Sequence, residues 1–437
     1  KEFVKSIKAY EKELIETRRY LHRHPELSFQ ETDTAAYIRS TLNALGVPLM
    51  EGISGTSTVA VIKGEKTGPC IAFRADIDAL PVEEENDLPF KSEVPGVMHA
   101  CGHDIHTAVL LTFAKVLTAH PELVRGTVKL IFQAAEEKLP GGAKALCEEG
   151  VMKDVDLIYG FHCASAFPLG TIAVTPRAYS AAIGIYEVKI HGKGGHGGYP
   201  QNALNPVPVA CMVDLLNQIL AEKKNPLEGG VLTVSYINGG QYPNIITDTV
   251  TLGGNVRTLN NDLIDKVFDS IHSISRGICA GFGLTCDVTT LGYPAAINVP
   301  EEIETVRSVT RDLGYTVYER PDALGGEDFA HLLEKPGAYF QIGMADPERP
   351  ITSSPHHNCH FQLDERGISE ALEMELGLYL RVTGQMNRIE KAAVISAKLC
   401  RAAALFRSFL QILCSNKSVG RLRAPHSPQD RLRHNLG

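Results

Sequence analysis

The chain has 437 residues, 44% hydrophobic and 22% charged, a globular balance with enough length for two cores rather than one. No apolar run approaches the roughly 20 residues that a membrane-spanning helix needs. The net charge of −8 is uneven: residues 387–437 hold ten Lys and Arg against two acids, a net +8, which leaves −16 on the first 386. A body that acidic offers no footprint for nucleic acid.

Helical spacing of Phe3, Ile7, Tyr10, Leu14 and Leu21 predicts an opening helix, charged and amphipathic unlike a secretory leader, that stops before Pro25. A second helix is expected over 34–45, closed by Gly46. Then strands alternate with helices. Cys70–Phe73 runs into Arg74-Ala75-Asp76-Ile77-Asp78, and Thr107–Thr118 is an apolar helix. Val128–Phe132 runs into Gln133-Ala134-Ala135-Glu136-Glu137, and Leu157–Phe161 runs into His162. This alternation predicts an α/β fold: a mixed, largely parallel sheet with helices on both faces.

The middle has a different texture. Strands over 185–191, 231–236, 250–257 and 284–289, with helices over 206–221 and 262–279, predict a small inserted α+β domain. The α/β pattern resumes through 301–313, 328–333 and 338–342 to a helix over 368–382. The expected organisation is a catalytic domain over 1–182 and 294–386, an insert over 183–293, and a basic extension over 387–437. In that extension 392–413 has the pattern of a basic helix, and the rest is expected to be disordered. Ten cysteines without paired spacings read as reduced thiols of a cytoplasmic protein.

The chemistry-bearing residues cluster around strand ends. Met98 to Ala108, MHACGHDIHTA, places His99, Cys101, His103 and His106 within eight residues. Asp76 and Asp78, Glu136 and Glu137, and His162 each follow an apolar strand. In open α/β sheets ligands bind beyond the carboxyl ends of the strands, so residues distant in sequence converge there. Taken singly, an acidic pair is ordinarily a solvated turn and a lone cysteine a buried thiol; occurring together at strand ends, they point to a metal centre. A thiolate, a carboxylate and imidazoles suit Zn²⁺, Mn²⁺, Co²⁺ or Ni²⁺. Five donors with one shared can hold two ions. A carboxylate adjacent to a ligand suits a general base, and Asp76 and Asp78 suit the orientation of a ligating imidazole.

RADIDALP, MHACGHD, QAAEE, GFH and HHNCHF, in this order from about Arg18 to Val382, resemble the motifs of the co-catalytic metallo-amidohydrolases. That family includes aminoacylases, hippurate hydrolases and auxin–amino-acid conjugate hydrolases. The resemblance implies that Cys101, His103, Glu137, His162 and His357 are ligands of two divalent ions, with Cys101 the bridge. It makes Glu136 the base and Asp78 the carboxylate behind the ligands. His357 lies in a motif with cysteine where the family has proline, and His356 and His360 crowd it. GKGGHGGYP resembles a lid-domain loop whose histidine, here His196, reaches the partner subunit's active site, which implies a homodimer or dimer-based oligomer through the insert. Asn244 and Arg257 match positions that bind a substrate carboxylate. The implied reaction is hydrolysis of N-acyl-L-amino acids by a metal-activated water. A carboxypeptidase, a dipeptidase or an N-acetyl-diaminopimelate deacetylase is the alternative. A Cys101–His103 nucleophile pair would leave Glu136, Glu137, His162 and His357 unexplained, and a ligand-binding relative without turnover would be expected to lack some of them.

Overall fold

The computed structural model describes residues 2–385; the basic extension, with its expected helix and disordered end, lies outside the described residues. Helices are α1 Glu2–Arg23, α2 Thr32–Ala44, α3 His103–Ala119, α4 Ala143–Glu148, α5 Val213–Lys223, α6 Asn261–Gly281, α7 Pro300–Leu313 and α8 Arg366–Val382. Strands β1 to β5 are Thr58–Lys63, Lys66–Asp76, Arg125–Gln133, Leu157–Pro168 and Thr171–Val174. Strands β6 to β9 are Ala182–His191, Gly195–His196, Gly230–Asn238 and Ile245–Ile246. Strands β10 to β13 are Thr249–Thr258, Thr285–Tyr293, Thr316–Glu319 and Gly337–Ala345. Among the described residues no helix is long and apolar enough to cross a membrane.

Seven strands form one sheet in the order β1-β3-β2-β4-β13-β5-β12. The pairs β3–β2, β2–β4, β4–β13 and β12–β5 are parallel, while β1–β3 and β13–β5 are antiparallel. The fold is thus α/β with a mixed, largely parallel sheet. Alternation along β2 explains why both faces need helices. Phe73 packs on Phe113 of α3, ring centroids 4.8 Å apart. Its neighbour Ala72 faces the other way, into a core with Ile131, Leu146 of α4 and Phe329. Central strands buried on both faces read as continuous apolar runs, which is why CIAF and VKLIF stand out in the sequence.

A second sheet, β11-β6-β10-β8, is antiparallel throughout. The helices α5 and α6 cover one face: Val188, Ile190, Leu252 and Val256 pack with Leu216, Val267 and Ile271. A two-stranded ribbon pairs β7 with β9, setting His196 opposite Ile245. The helix expected from Pro206 begins only at Val213, preceded by a 3-10 turn over Val207–Met212. Pro206 and Pro208 lack the amide hydrogen that a helix interior requires. Conversely, α3 begins four residues before the expected Thr107, because His103, Asp104 and His106 are polar yet buried.

Candidate metal centre and active site

The centre is assembled at the carboxyl ends of β2, β3 and β4. Beyond β2, Leu80 and Met98 exchange backbone hydrogen bonds of 3.0 Å, which brings the Cys101 segment alongside. Gly102 then turns the chain with φ 89°; a Cβ there would lie 2.2 Å from the Cys163 sulfur, so only glycine fits. His103 opens α3.

Each ring is oriented by a partner. His103 Nδ1 lies 2.9 Å from the Asp78 carbonyl and 3.1 Å from Asp78 Oδ1. A protonated Nδ1 donates to both, and Nε2 is left facing Glu137 Oε1 at 3.9 Å. His162 Nδ1 donates to the Cys163 carbonyl at 2.7 Å, and its Nε2 lies 3.4 Å from the Cys101 sulfur. His106 is different, since both nitrogens are engaged. Its Nδ1 donates to Asp76 Oδ1 at 2.5 Å and its Nε2 accepts from the Cys163 amide at 3.0 Å. With neither nitrogen open, it serves as a structural ring.

The carboxylates are fixed as firmly. Asp78 Oδ2 accepts from the Ser28 hydroxyl at 2.6 Å and from the Glu137 amide at 3.0 Å. Asp76 pairs with the fully buried Arg74 at 2.6 Å. Arg74 also reaches Gln133 at 2.9 Å, Asp328 at 3.1 Å and Glu327 at 3.2 Å. Ala135, just before Glu136, has φ 55°, a left-handed conformation costing a non-glycine residue about 1–2 kcal/mol. The buried Glu31 carboxylate holds that turn, accepting from the Ala135 amide at 2.8 Å and the Thr56 hydroxyl at 2.5 Å. His357 likewise has φ 64°, with its amide on the Ala100 carbonyl at 2.8 Å and its Nε2 3.2 Å from Glu137 Oε1.

The structure therefore brings Cys101, His103, Glu137, His162 and His357 together. One of their buried atoms, His103 Nε2, has no hydrogen-bond partner. A buried lone pair costs about 1–3 kcal/mol when unmet, and a carboxylate, a thiol and imidazoles around one point form a cation's donor set. The electrostatics agree. Burial would lower the His103 pKa, but Asp76, Asp78 and Glu137 raise it to about 10, so this point favours positive charge. Burial, with His106 and His356 nearby, holds His162 well below its ordinary value, in the neutral form that ligates. Burial beside Glu137 and Glu136 keeps the Cys101 thiol well above its ordinary value, so ion uptake has to displace its proton.

Glu136 opens onto a cavity of about 520 Å³ lined by Cys101, Glu137, His162, Arg257, Glu327 and His357. Burial and the charges of Glu327, Glu137 and Asp328 push its carboxyl well above the usual range. Arg257 reaches this cavity from β10, one guanidinium nitrogen donating to the Leu324 carbonyl at 2.8 Å. His196 and Asn244 are not among the lining residues. Both are exposed and adjacent on the ribbon, the Gly197 amide donating to the Asn244 carbonyl at 2.9 Å.

Sequence reasoning missed several groups. His356 stands in the cluster, its Nδ1 3.8 Å from the Cys101 sulfur; the His-His doublet was its only signal. Burial lowers its pKa to about 3. Glu31 and Glu327 stand beside Asp33 and Asp328 in sequence, with nothing local to mark their roles. Tyr179, Tyr293, Arg320 and Gln341 line the cavity with no sequence signal at all.

Comparison with known proteins decides the family. The model of peptidase family M20/M25/M40 matches residues 72–377. The chain belongs to that family. Thermostable carboxypeptidase 1 of Saccharolobus solfataricus is 38% identical over 80% of this chain and 91% of its own length. N-acetylcysteine deacetylase of Bacillus subtilis is 37% identical over 83% and 95%. The solved structure of Bacillus subtilis YxeP, described as a dinuclear metal binding peptidase of the M20 family, aligns with a TM-score of 0.72. It is 33% identical, covering 86% of this chain and 99% of that one. The chain is accordingly a metal-dependent M20 hydrolase of the amidohydrolase type, for which a site for two divalent ions is implied.

Proposed function

We propose that this M20 hydrolase cleaves the amide bond of N-acyl-L-amino acids, with Cys101, His103, Glu137, His162 and His357 holding two divalent ions. One juxtaposition supports this above all. Donors for the ions converge at the strand ends, while Glu136, a carboxyl of raised proton affinity, opens onto the cavity that Arg257 also lines. When bound, the ions supply Lewis-acid activation of water and carbonyl. The sulfur, nitrogen and oxygen donors suit Zn²⁺ or Mn²⁺, with Co²⁺ or Ni²⁺ as substitutes.

Glu136 takes the proton of the attacking water on its carboxylate and returns it to the leaving amine nitrogen. Asp78 holds His103 and the Glu137 amide in place while this happens. The Arg257 fork binds the substrate's free carboxylate. Residues 183–293 act as the lid and as the contact of a homodimer, in which His196 and Asn244 serve the active site of the second copy. His196 Nδ1 accepts from the Gly198 amide at 2.9 Å, so the proton of the neutral ring sits on Nε2, from which it can be donated to an oxyanion. A thiolate ligand and unpaired cysteines suit a reducing, cytoplasmic setting.

A carboxypeptidase reading uses the same carboxylate clamp, and the thermostable carboxypeptidase relative favours it. A panel of N-acetyl, N-benzoyl and indole-acetyl amino acids beside dipeptides separates the two. N-acyl amino acids are expected to show a kcat/KM at least about tenfold above dipeptides. A lead for dipeptides would select the carboxypeptidase, and activity surviving prolonged chelation would refute the metal mechanism.

A further inference from the structure

His356 enters none of the roles assigned so far, yet it sits against the sulfur proposed as the bridge. Cys101 Sγ lies 3.4 Å from His162 Nε2 and 3.8 Å from His356 Nδ1. One ligand atom from each of the three residues falls within 4.8 Å of the others. With metal–sulfur bonds of about 2.3 Å and metal–nitrogen bonds of about 2.0–2.1 Å, neighbouring S and N donors on a tetrahedron stand about 3.6 Å apart. The two observed spacings bracket that edge. A second group, Cys101, His103 and Glu137, satisfies the same 4.8 Å condition, and His357 Nε2 adjoins it through Glu137 at 3.2 Å. The doublet thus splits. His357 turns towards Glu137 with half its side chain exposed, whereas His356 turns inward, its ring 5.1 Å from that of His162 and 4.7 Å from that of the buried Phe361.

We propose that His356 is a sixth donor of the two-metal centre, completing with Cys101 and His162 the site of one ion, while Cys101, His103, Glu137 and His357 serve the other. Cys101 is then the atom common to both sites, and each ion has at least three protein donors. This rests on the two-metal reading above, and the experiment separates the two claims.

The full chain, stripped of metal, is titrated with Co²⁺ alone by calorimetry and by the visible absorption of thiolate-bound cobalt, for wild type, His356→Gln, His356→Asp and a remote His120→Gln. The expected result is two Co²⁺ bound by wild type and by His120→Gln. His356→Gln should keep one ion tightly and lose the second or bind it at least about tenfold more weakly, with a changed cobalt spectrum. His356→Asp, which restores a donor, should recover the second ion. Circular dichroism and the melting of the metal-free proteins check folding, and His356→Asn replaces a glutamine variant that fails to fold. Two ions bound by His356→Gln or His356→Asn with wild-type affinity and spectrum would overturn the proposal, leaving His356 as a ring packed on His162. Wild type that binds no Co²⁺ would overturn the two-metal reading itself, before any variant is compared.

Discussion

The crevice at the ends of β2, β3 and β4 and the β7–β9 ribbon carry two halves of the same expected chemistry, and they are built in opposite ways. In the crevice His103 is backed by Asp78, His162 by the Cys163 carbonyl, and the turn at Ala135 by the buried Glu31. On the ribbon His196 and Asn244 are exposed, held by backbone hydrogen bonds and, for His196, the neighbouring Tyr199 ring. The difference teaches that the crevice half is organised within one chain, whereas the ribbon half, in the dimer proposed above, would gain its surroundings from the second copy. Preorganisation of the first kind is what electrostatic catalysis needs. The second kind suits a group that arrives when the site closes.

The sharpest way to break this comparison is to remove the ribbon's histidine. His196→Ala is expected to lower kcat by about 10²–10³-fold without changing metal content. Mixed with a Glu136 variant it should recover part of the activity, because a hybrid dimer holds one intact site. Steady-state kinetics with metal analysis checks this, and normal turnover by His196→Ala would remove the ribbon from the mechanism. Within the crevice, Asp78→Ala takes the partner from His103 and from the Glu137 amide. Metal affinity should fall by about 10–100-fold, read by competition with a chelating dye.

Glu31→Ala is a smaller and mainly structural change. It leaves the buried Ala135 amide and Thr56 hydroxyl unmet, for a loss of about 2–3 kcal/mol in denaturant unfolding. Glu31→Gln, which can still accept at one oxygen, should restore most of the loss; equal damage by both would mean that the charge, not the hydrogen bond, holds the turn. The smallest effect concerns acid. Burial first, with Asp104 too weak to reverse it, lowers the His99 pKa to about 4. The unfolded chain protonates this ring near its ordinary 6.5 and the folded chain does not, so stability falls as pH drops through that window. At pH 5.5 the contribution is about 1 kcal/mol. A metal-free His99→Asn protein should show a flatter decline, and an unchanged slope would exclude His99 as its source.

Much of the fold was legible because central parallel strands must be apolar on both faces, so CIAF, VKLIF and LIYGF announced themselves. Strands β1, β5 and β12 escaped notice, lying at or near the sheet's edges where short segments carry weaker patterns. The early start of α3 was hidden because His103, Asp104 and His106 are buried through pairing rather than apolarity, and hydrophobic periodicity cannot register that. The donors of the centre were legible as residue types following strands. Their allocation was not: spacing selected His357, and only the fold shows His356 turned to the Cys101 sulfur. Glu31 supports Ala135 across 104 residues of sequence, a contact that no local pattern encodes.

The central claim is that a metal-binding crevice and a neighbouring proton carrier are separable parts of one site. Glu136→Gln, measured for both metal stoichiometry and turnover of an N-acyl amino acid, tests it most directly. The account predicts two ions still bound and kcat reduced by about 10²–10⁴-fold. Wild-type turnover in that variant would contradict it.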